Sequence, residues 1–302
     1  MSFKERFIAW WNGEVLPEAH RGEAALDSAA LAGAAAGAAA APKPAVEQWE
    51  AGRFELMERI WGDGLCYPGG EDHLMKLVTP FGLNPAFSVA DFGAGFGGGG
   101  QIVADAFGAW VNGYEFDCEY AAYGDERAER LGLTRKAPVT FTDVETFSMR
   151  ENAFHCAYSM LTFFKIENKS HVLRMIEKGL HPGGQFAFTD YLVTEEGRGD
   201  PMITQWMEAE DPTPHPWTLK HYQAELTNLN LDVRIAEDTS DRHQSDILAG
   251  WAHFAESLKP GGVARGTTLL MVMEAEKWVR RVAALRSGHL RYYRFYVTKP
   301  TN

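Results

Sequence analysis

The sequence predicts an α/β protein built on a doubly wound, largely parallel sheet, with a helical cap ahead of the sheet and a helical insertion late in the chain. Three observations carry that expectation. Short apolar runs alternate with helix-length amphipathic segments from Phe87 to Leu192. The first run ends in an acid and a glycine cluster, Asp91-Phe92-Gly93-Ala94-Gly95-Phe96-Gly97-Gly98-Gly99-Gly100, which lets the backbone turn tightly from strand into helix. Near the far end, Asp232–Ile235 and Tyr292–Thr298 read as two further strands.

Taken in order, residues 1–45 form an N-terminal amphipathic helix and an Ala-rich linker. Ser2 and Glu5 have capping-box spacing. Phe3, Phe7, Trp10 and Trp11 fall on one helical face, suited to docking on the chain's own domain, on a second copy in an oligomer, or on a lipid surface. Ala24–Pro44 is low-complexity and is expected to carry no chemistry. Residues 46–80 form a helical cap containing Trp61-Gly62-Asp63 and Pro68-Gly69-Gly70. Residues 81–302 hold the main domain. Its expected strands are Phe87–Phe92, Trp110–Phe116, Pro138–Phe141, Phe154–Ser159 and Gln185–Leu192, and its expected helices are Gly98–Phe107, Asp117–Leu131 and Glu167–Leu180. A helical insertion spans about 244–285.

Composition excludes several classes. The formal net charge is −12 with no long basic run, so nucleic acid is not an expected partner. Three cysteines, Cys66, Cys118 and Cys156, stand at no metal-ligand spacing, which argues against a disulfide framework or a metal site. Ala29–Ala41 is too short to span a bilayer, and acids precede it where an export signal carries basic residues. The expected compartment is the cytoplasm.

The glycine loop satisfies G-x-G-x-x-G through Gly93, Gly95 and Gly98, which leaves a dinucleotide-dependent oxidoreductase open. Glu115 ends the next strand, 22 residues after Gly93, where an acid holds ribose hydroxyls in either class. Later features discriminate: Asp143-Val144 after the third strand, the helix-turn-strand run His181 to Tyr191, and an aromatic terminal strand, Arg291 to Thr298. Together they point to a Rossmann-like, seven-stranded class I methyltransferase sheet that binds S-adenosyl-L-methionine (SAM). A SAM-binding sensor without turnover is the alternative from another class.

From about Gln48 to Lys299 the chain resembles the phosphoethanolamine N-methyltransferase group, and behind it the sarcosine/dimethylglycine methyltransferases. The resemblance rests on Trp61-Gly62-Asp63 through Gly70, on the glycine loop, on Thr189-Asp190-Tyr191-Leu192-Val193-Thr194-Glu195, and on Arg294-Phe295-Tyr296-Val297-Thr298-Lys299. It implies a cap helix closing over the donor, with Tyr67 beside the methionine moiety. Expected donor contacts are Tyr67, Asp91, Gly93, Gly95, Gly97, Glu115, Phe116, Asp143, Val144 and Ser159, with Glu115 on the ribose and Asp143 on the adenine. The group's Gln-Tyr pair and partner His correspond here to Gln48-Trp49 and Phe163, neither ring of which shuttles protons. Trp49, Phe163, Phe164 and Tyr191 are thus expected as an aromatic wall suited to a methylated cation. Arg281 is expected to retain a phosphate contact, and Glu208, Glu210 and Asp211 to attract a cationic acceptor. The acceptor is expected to be a small amine, an amine-bearing lipid headgroup or an apolar biosynthetic intermediate. No catalytic proton acceptor is assigned.

Overall fold

The computed structural model describes residues 48–259 and 262–301. The expected amphipathic helix and Ala-rich linker lie outside the described residues. The elements are α1 Arg53–Trp61, α2 Gly70–Val78, β1 Ser88–Phe92, α3 Gly98–Phe107, β2 Trp110–Glu115, α4 Cys118–Leu131, β3 Val139–Phe141 and β4 Phe154–Met160. They continue with α5 Lys169–Gly179, β5 Leu180–Val193, α6 Pro201–Ala209, α7 Leu219–Asn228, β6 Asp232–Asp238, α8 Ser240–Ser257, α9 Arg265–Arg286 and β7 Leu290–Thr298.

Seven strands form one sheet in the order β3-β2-β1-β4-β5-β7-β6. The first five run parallel, and β7 inserts antiparallel between β5 and β6. β1 and β4 are adjacent while their crossovers leave in opposite directions. This makes their carboxyl ends the topological switch point, where ligands bind in open α/β sheets. β1 is buried on both faces from Val89 to Phe92, which explains its continuous apolar reading. β5 starts at Leu180, earlier than the expected Gln185, because Leu180 pairs with Phe154 across a register shift in β4.

Caps fix the helices nearest the site. Asp117 accepts from the Glu119 and Tyr120 amides, starting α4 directly after β2, and Gly132 ends it in the left-handed conformation. The late insertion proves to be two long helices, α8 and α9. Together with α1 they cover the carboxyl edge of the sheet. α1 buries Leu56, Met57, Ile60 and Trp61. The Trp61 ring lies 4.6 Å from Trp278 of α9 and 6.5 Å from Trp251 of α8, centroid to centroid. Aromatic contacts of this kind dominate core energetics, so cap and insertion form one layer.

Two further contacts fasten that layer. Trp49 donates its amide to the Gly262 carbonyl and accepts from the Ala264 amide. Beyond α1, the Gly64 carbonyl accepts from the Gly98 amide at the first turn of α3 (3.0 Å). Arg127 of α4 grips Asp63 with two guanidinium nitrogens (2.7 and 2.5 Å) and reaches Glu58 at 3.3 Å.

Candidate active site

The sheet's switch point opens into a cavity of about 540 Å³, within the range of small-molecule sites. Its floor is the bend between β1 and α3. Gly93 and Gly95 line it, both with φ in the left-handed region (75° and 58°). Such angles favour glycine, and close packing also demands it: a Cβ on Gly95 would stand 2.6 Å from Cys66 Sγ, and one on Gly93 would collide with Thr162.

Glu115 closes one side. Its Oε2 accepts from the Gly95 amide (2.6 Å) and its Oε1 from the Phe116 and Asp117 amides (2.8 and 2.9 Å). Burial raises its pKa, while those three donors pull the other way. Each carboxylate oxygen has two lone pairs, so the group keeps acceptor capacity toward the cavity. Phe116 and Val144 line the same end.

From the cap, Cys66 and Tyr67 enter the cavity wall. The Tyr67 hydroxyl is buried without a hydrogen-bond partner, a costly state that a ligand polar group would relieve. Burial pushes the Cys66 thiol up to about 12. Asp91 lies just beneath, 3 % exposed, accepting from the Tyr158 hydroxyl at 2.7 Å. Burial pushes Asp91 up to about 7 against that hydrogen bond.

The other end is built from the turn after β4 and from α9. Leu161 adopts φ 53°, left-handed for a non-glycine residue, and a 3-10 turn Phe163–Lys165 follows. Strained backbone of this kind persists only where its surroundings hold it. Here Asp190 accepts from the Phe164 amide (2.8 Å) and from the Tyr222 hydroxyl (2.6 Å). Phe164 and Lys165 face the cavity together with Lys277, Trp278 and Arg281. Arg281 forms a two-point ion pair with Glu210, whose Oε1 also accepts from Trp206 Nε1. Lys277 stands 3.8 Å from Glu274, which accepts from Trp278 Nε1.

Of the expected donor residues, Tyr67, Gly93, Gly95, Glu115, Phe116 and Val144 come together on the wall. Four do not. Asp91 sits one layer below, and Gly97 packs where its Cβ would meet Val139. Ser159 is fully buried and donates to the Phe92 carbonyl. Asp143 is exposed and caps its own turn by accepting from the Glu145 amide, leaving Val144 and Glu145 on the wall.

The expected aromatic wall needs correction. Phe163 is fully buried against Phe186 and Phe188, because the 3-10 turn directs it to the side away from the cavity, while its equally buried neighbour Phe164 packs at the cavity wall. Tyr191 is held behind Phe164 by a 2.7 Å hydrogen bond to His243. Trp49 bridges to Val263 under the Arg59 guanidinium, away from the cavity, and Gln48 is not on its wall. Arg281 is on the wall, but Glu210 is its partner rather than a free acid attracting a cation. Lys165 and Lys277 were not among the expected residues. Only their place beyond strand ends and on an insertion helix reveals them, and no local motif marks either.

Comparison with known proteins agrees with this geometry. The family profile described as a methyltransferase domain matches residues 90–188, from β1 through β5. Over that span the chain carries a methyltransferase domain. It is 27 % identical to phosphoethanolamine N-methyltransferase 1 of Zea mays over 198 residues, 66 % of this chain but 38 % of that protein. With the Plasmodium falciparum phosphoethanolamine N-methyltransferase it shares 26 % identity over 189 residues, 62 % of this chain and 69 % of the relative. The fold is that of Haemonchus contortus phosphoethanolamine N-methyltransferase 2, solved with S-adenosyl-L-methionine. The TM-score is 0.70 at 18 % identity, covering 81 % of this chain and 56 % of that one. The matched profile thus runs from β1 into β5, and α1, α8 and α9 lie outside it. No helix among the described residues is long and apolar enough to cross a membrane.

Proposed function

We propose that this methyltransferase transfers a methyl group from SAM to a small-molecule amine that carries an anionic group. The single observation that carries the reading is one continuous cavity with two differently built ends. The glycine bend and Glu115 stand at one, and Phe164, Lys277 and Arg281 at the other. At the first end, Gly93, Gly95, Glu115 and Tyr67 would hold the donor, whose chemistry is an electrophilic methyl on a sulfonium. The left-handed glycines, the oriented carboxylate and the partnerless Tyr67 hydroxyl fit a ligand with a ribose and polar groups. At the second end, Arg281 and Lys277 are oriented by Glu210 and Glu274, and oriented cations recognise phosphate or carboxylate. Names of relatives that act on phosphoethanolamine support the same acceptor class.

The cations on the wall suit an anionic acceptor better than a wholly apolar one, since a guanidinium and an ammonium keep donors beyond those their carboxylate partners take. Alignment of the two substrates in a closed cavity supplies most of the rate expected for an in-line displacement. The test is methyl incorporation from labelled SAM into phosphoethanolamine, sarcosine and dimethylglycine, alongside calorimetric titration with S-adenosylhomocysteine. Micromolar binding with incorporation into an anionic amine is the expected result. Binding of NADH in place of S-adenosylhomocysteine would overturn the donor; incorporation only into uncharged apolar acceptors would overturn the acceptor class.

A further inference from the structure

We propose that Lys165 is the general base that removes the proton from the acceptor's ammonium nitrogen before methyl transfer. The inference rests on the reading of the cavity as a methyltransferase site acting on an amine.

An amine bound at neutral pH arrives largely as its ammonium and has no lone pair to attack with. The site therefore needs a proton acceptor next to the substrate end. The phenyl and indole rings of Phe164 and Trp278 on that wall offer none. Glu167, Asp211 and His215 also line the cavity and are the rivals of Lys165. Glu274 on the wall and Glu210, the partner of Arg281, are engaged. Glu210 holds Arg281 and Trp206, and Glu274 holds Trp278 Nε1 and stands by Lys277. Lys165 is different. It lines the cavity, and no carboxylate among the described residues lies within ion-pair distance of its ammonium. Its nitrogen stands 5.7 Å from the Phe164 ring centroid, and the Arg281 guanidinium lies 5.7 Å from the same ring. The strained Leu161, together with the Asp190 hydrogen bond to the Phe164 amide, fixes the turn that presents it.

The surroundings favour the neutral amine. Burial lowers the Lys165 pKa first and the positive charge of Arg281 next; Glu210 opposes them, Lys277 lowers it further and Cys66 raises it, leaving the pKa below the ordinary lysine value. Lysines depressed by burial and by neighbouring cations are the form in which this side chain serves as a base. The step balances: the substrate N–H proton passes to the Lys165 lone pair, giving a lysine ammonium. The freed nitrogen lone pair then forms the N–CH3 bond as the S–CH3 bond breaks, its electron pair remaining on sulfur.

Two measurements on the full chain test this. Pulsed acetylation with acetic anhydride across pH, read by mass spectrometry, is expected to modify Lys165 at a pH at least one unit below the exposed lysines. Labelling together with the exposed lysines would overturn the proposal. In the second, labelled SAM is incubated with a small-metabolite extract and with phosphoethanolamine, using wild type, Lys165→Arg and Lys165→Met. Both variants are expected to keep S-adenosylhomocysteine affinity, read by calorimetry. Both should lose incorporation by about 100-fold or more, and the rise of rate with pH seen for wild type should disappear. A loss of less than tenfold, or an unchanged pH profile in Lys165→Arg, would refute the base. A wild-type protein that binds S-adenosylhomocysteine and methylates nothing would instead sink the underlying enzyme reading.

Discussion

Gly95 shows how one residue couples the cavity floor to the cap. Its left-handed φ and the 2.6 Å approach of a virtual Cβ to Cys66 Sγ mean that even alanine forces backbone and cap apart. Gly95→Ala is expected to weaken S-adenosylhomocysteine binding at least tenfold, measured by calorimetry. Glu115→Ala should do more. It removes the acceptor of three main-chain amides, so the loop loses its shape as well as its charge. Asp91 makes a prediction in pH. Its pKa rises from 3.8 to about 7 because burial disfavours the carboxylate, a displacement equivalent to roughly 4 kcal/mol at most. A carboxyl whose folded-state pKa is raised contributes fully below its unfolded pKa, and the contribution is lost as pH rises through the folded value. Stability should therefore fall between about pH 4 and 7. Asp91→Asn, which still accepts from Tyr158, should flatten the change of melting temperature across that window; an unchanged slope would refute the assignment.

At the scale of elements, the latch between α4 and the loop after α1 holds the cap. Arg127 is 5 % exposed and binds Asp63, Glu58 and Gln101. The Asp63 side chain is largely exposed, so solvent screens much of the pair's stability, and the effect should appear in closure. Arg127→Met is expected to raise the donor KM about tenfold with a smaller change in kcat, measured by initial rates. Much of this scale was legible in the sequence. The β–α alternation and the Asp91–Gly100 bend needed only local pattern, and buried parallel strands announce themselves as apolar runs. Phe163 and Phe164 were not separable, because which of two adjacent buried aromatics reaches the cavity depends on a 3-10 turn held by the remote Asp190. Asp143 lies off the cavity wall for an equally local reason: its side chain closes its own turn by accepting from the Glu145 amide.

For the molecule as a whole, cap and late insertion are distant in sequence and meet through three tryptophans, Trp61, Trp251 and Trp278. Their union was not legible, since periodicity marks α8 and α9 as helices but does not say which edge of the sheet they cover. Trp278→Ala is expected to cost about 3–5 kcal/mol and to free both Glu274 and the face of Arg281. Chemical denaturation should show the loss, and activity should fall more than the folded fraction does. The two ends of the cavity also differ in what they are made of. Around the glycine bend the decisive bonds engage main-chain amides, donated by Gly98 to the Gly64 carbonyl and by Gly95, Phe116 and Asp117 to the Glu115 carboxylate. At the other end the wall is made by the side chains of Phe164, Lys277 and Arg281, with backbone constraint confined to the turn at Leu161 and Phe164. Genetic drift, which edits side chains one codon at a time, can therefore reshape one end of the chamber while the glycine bend stays intact.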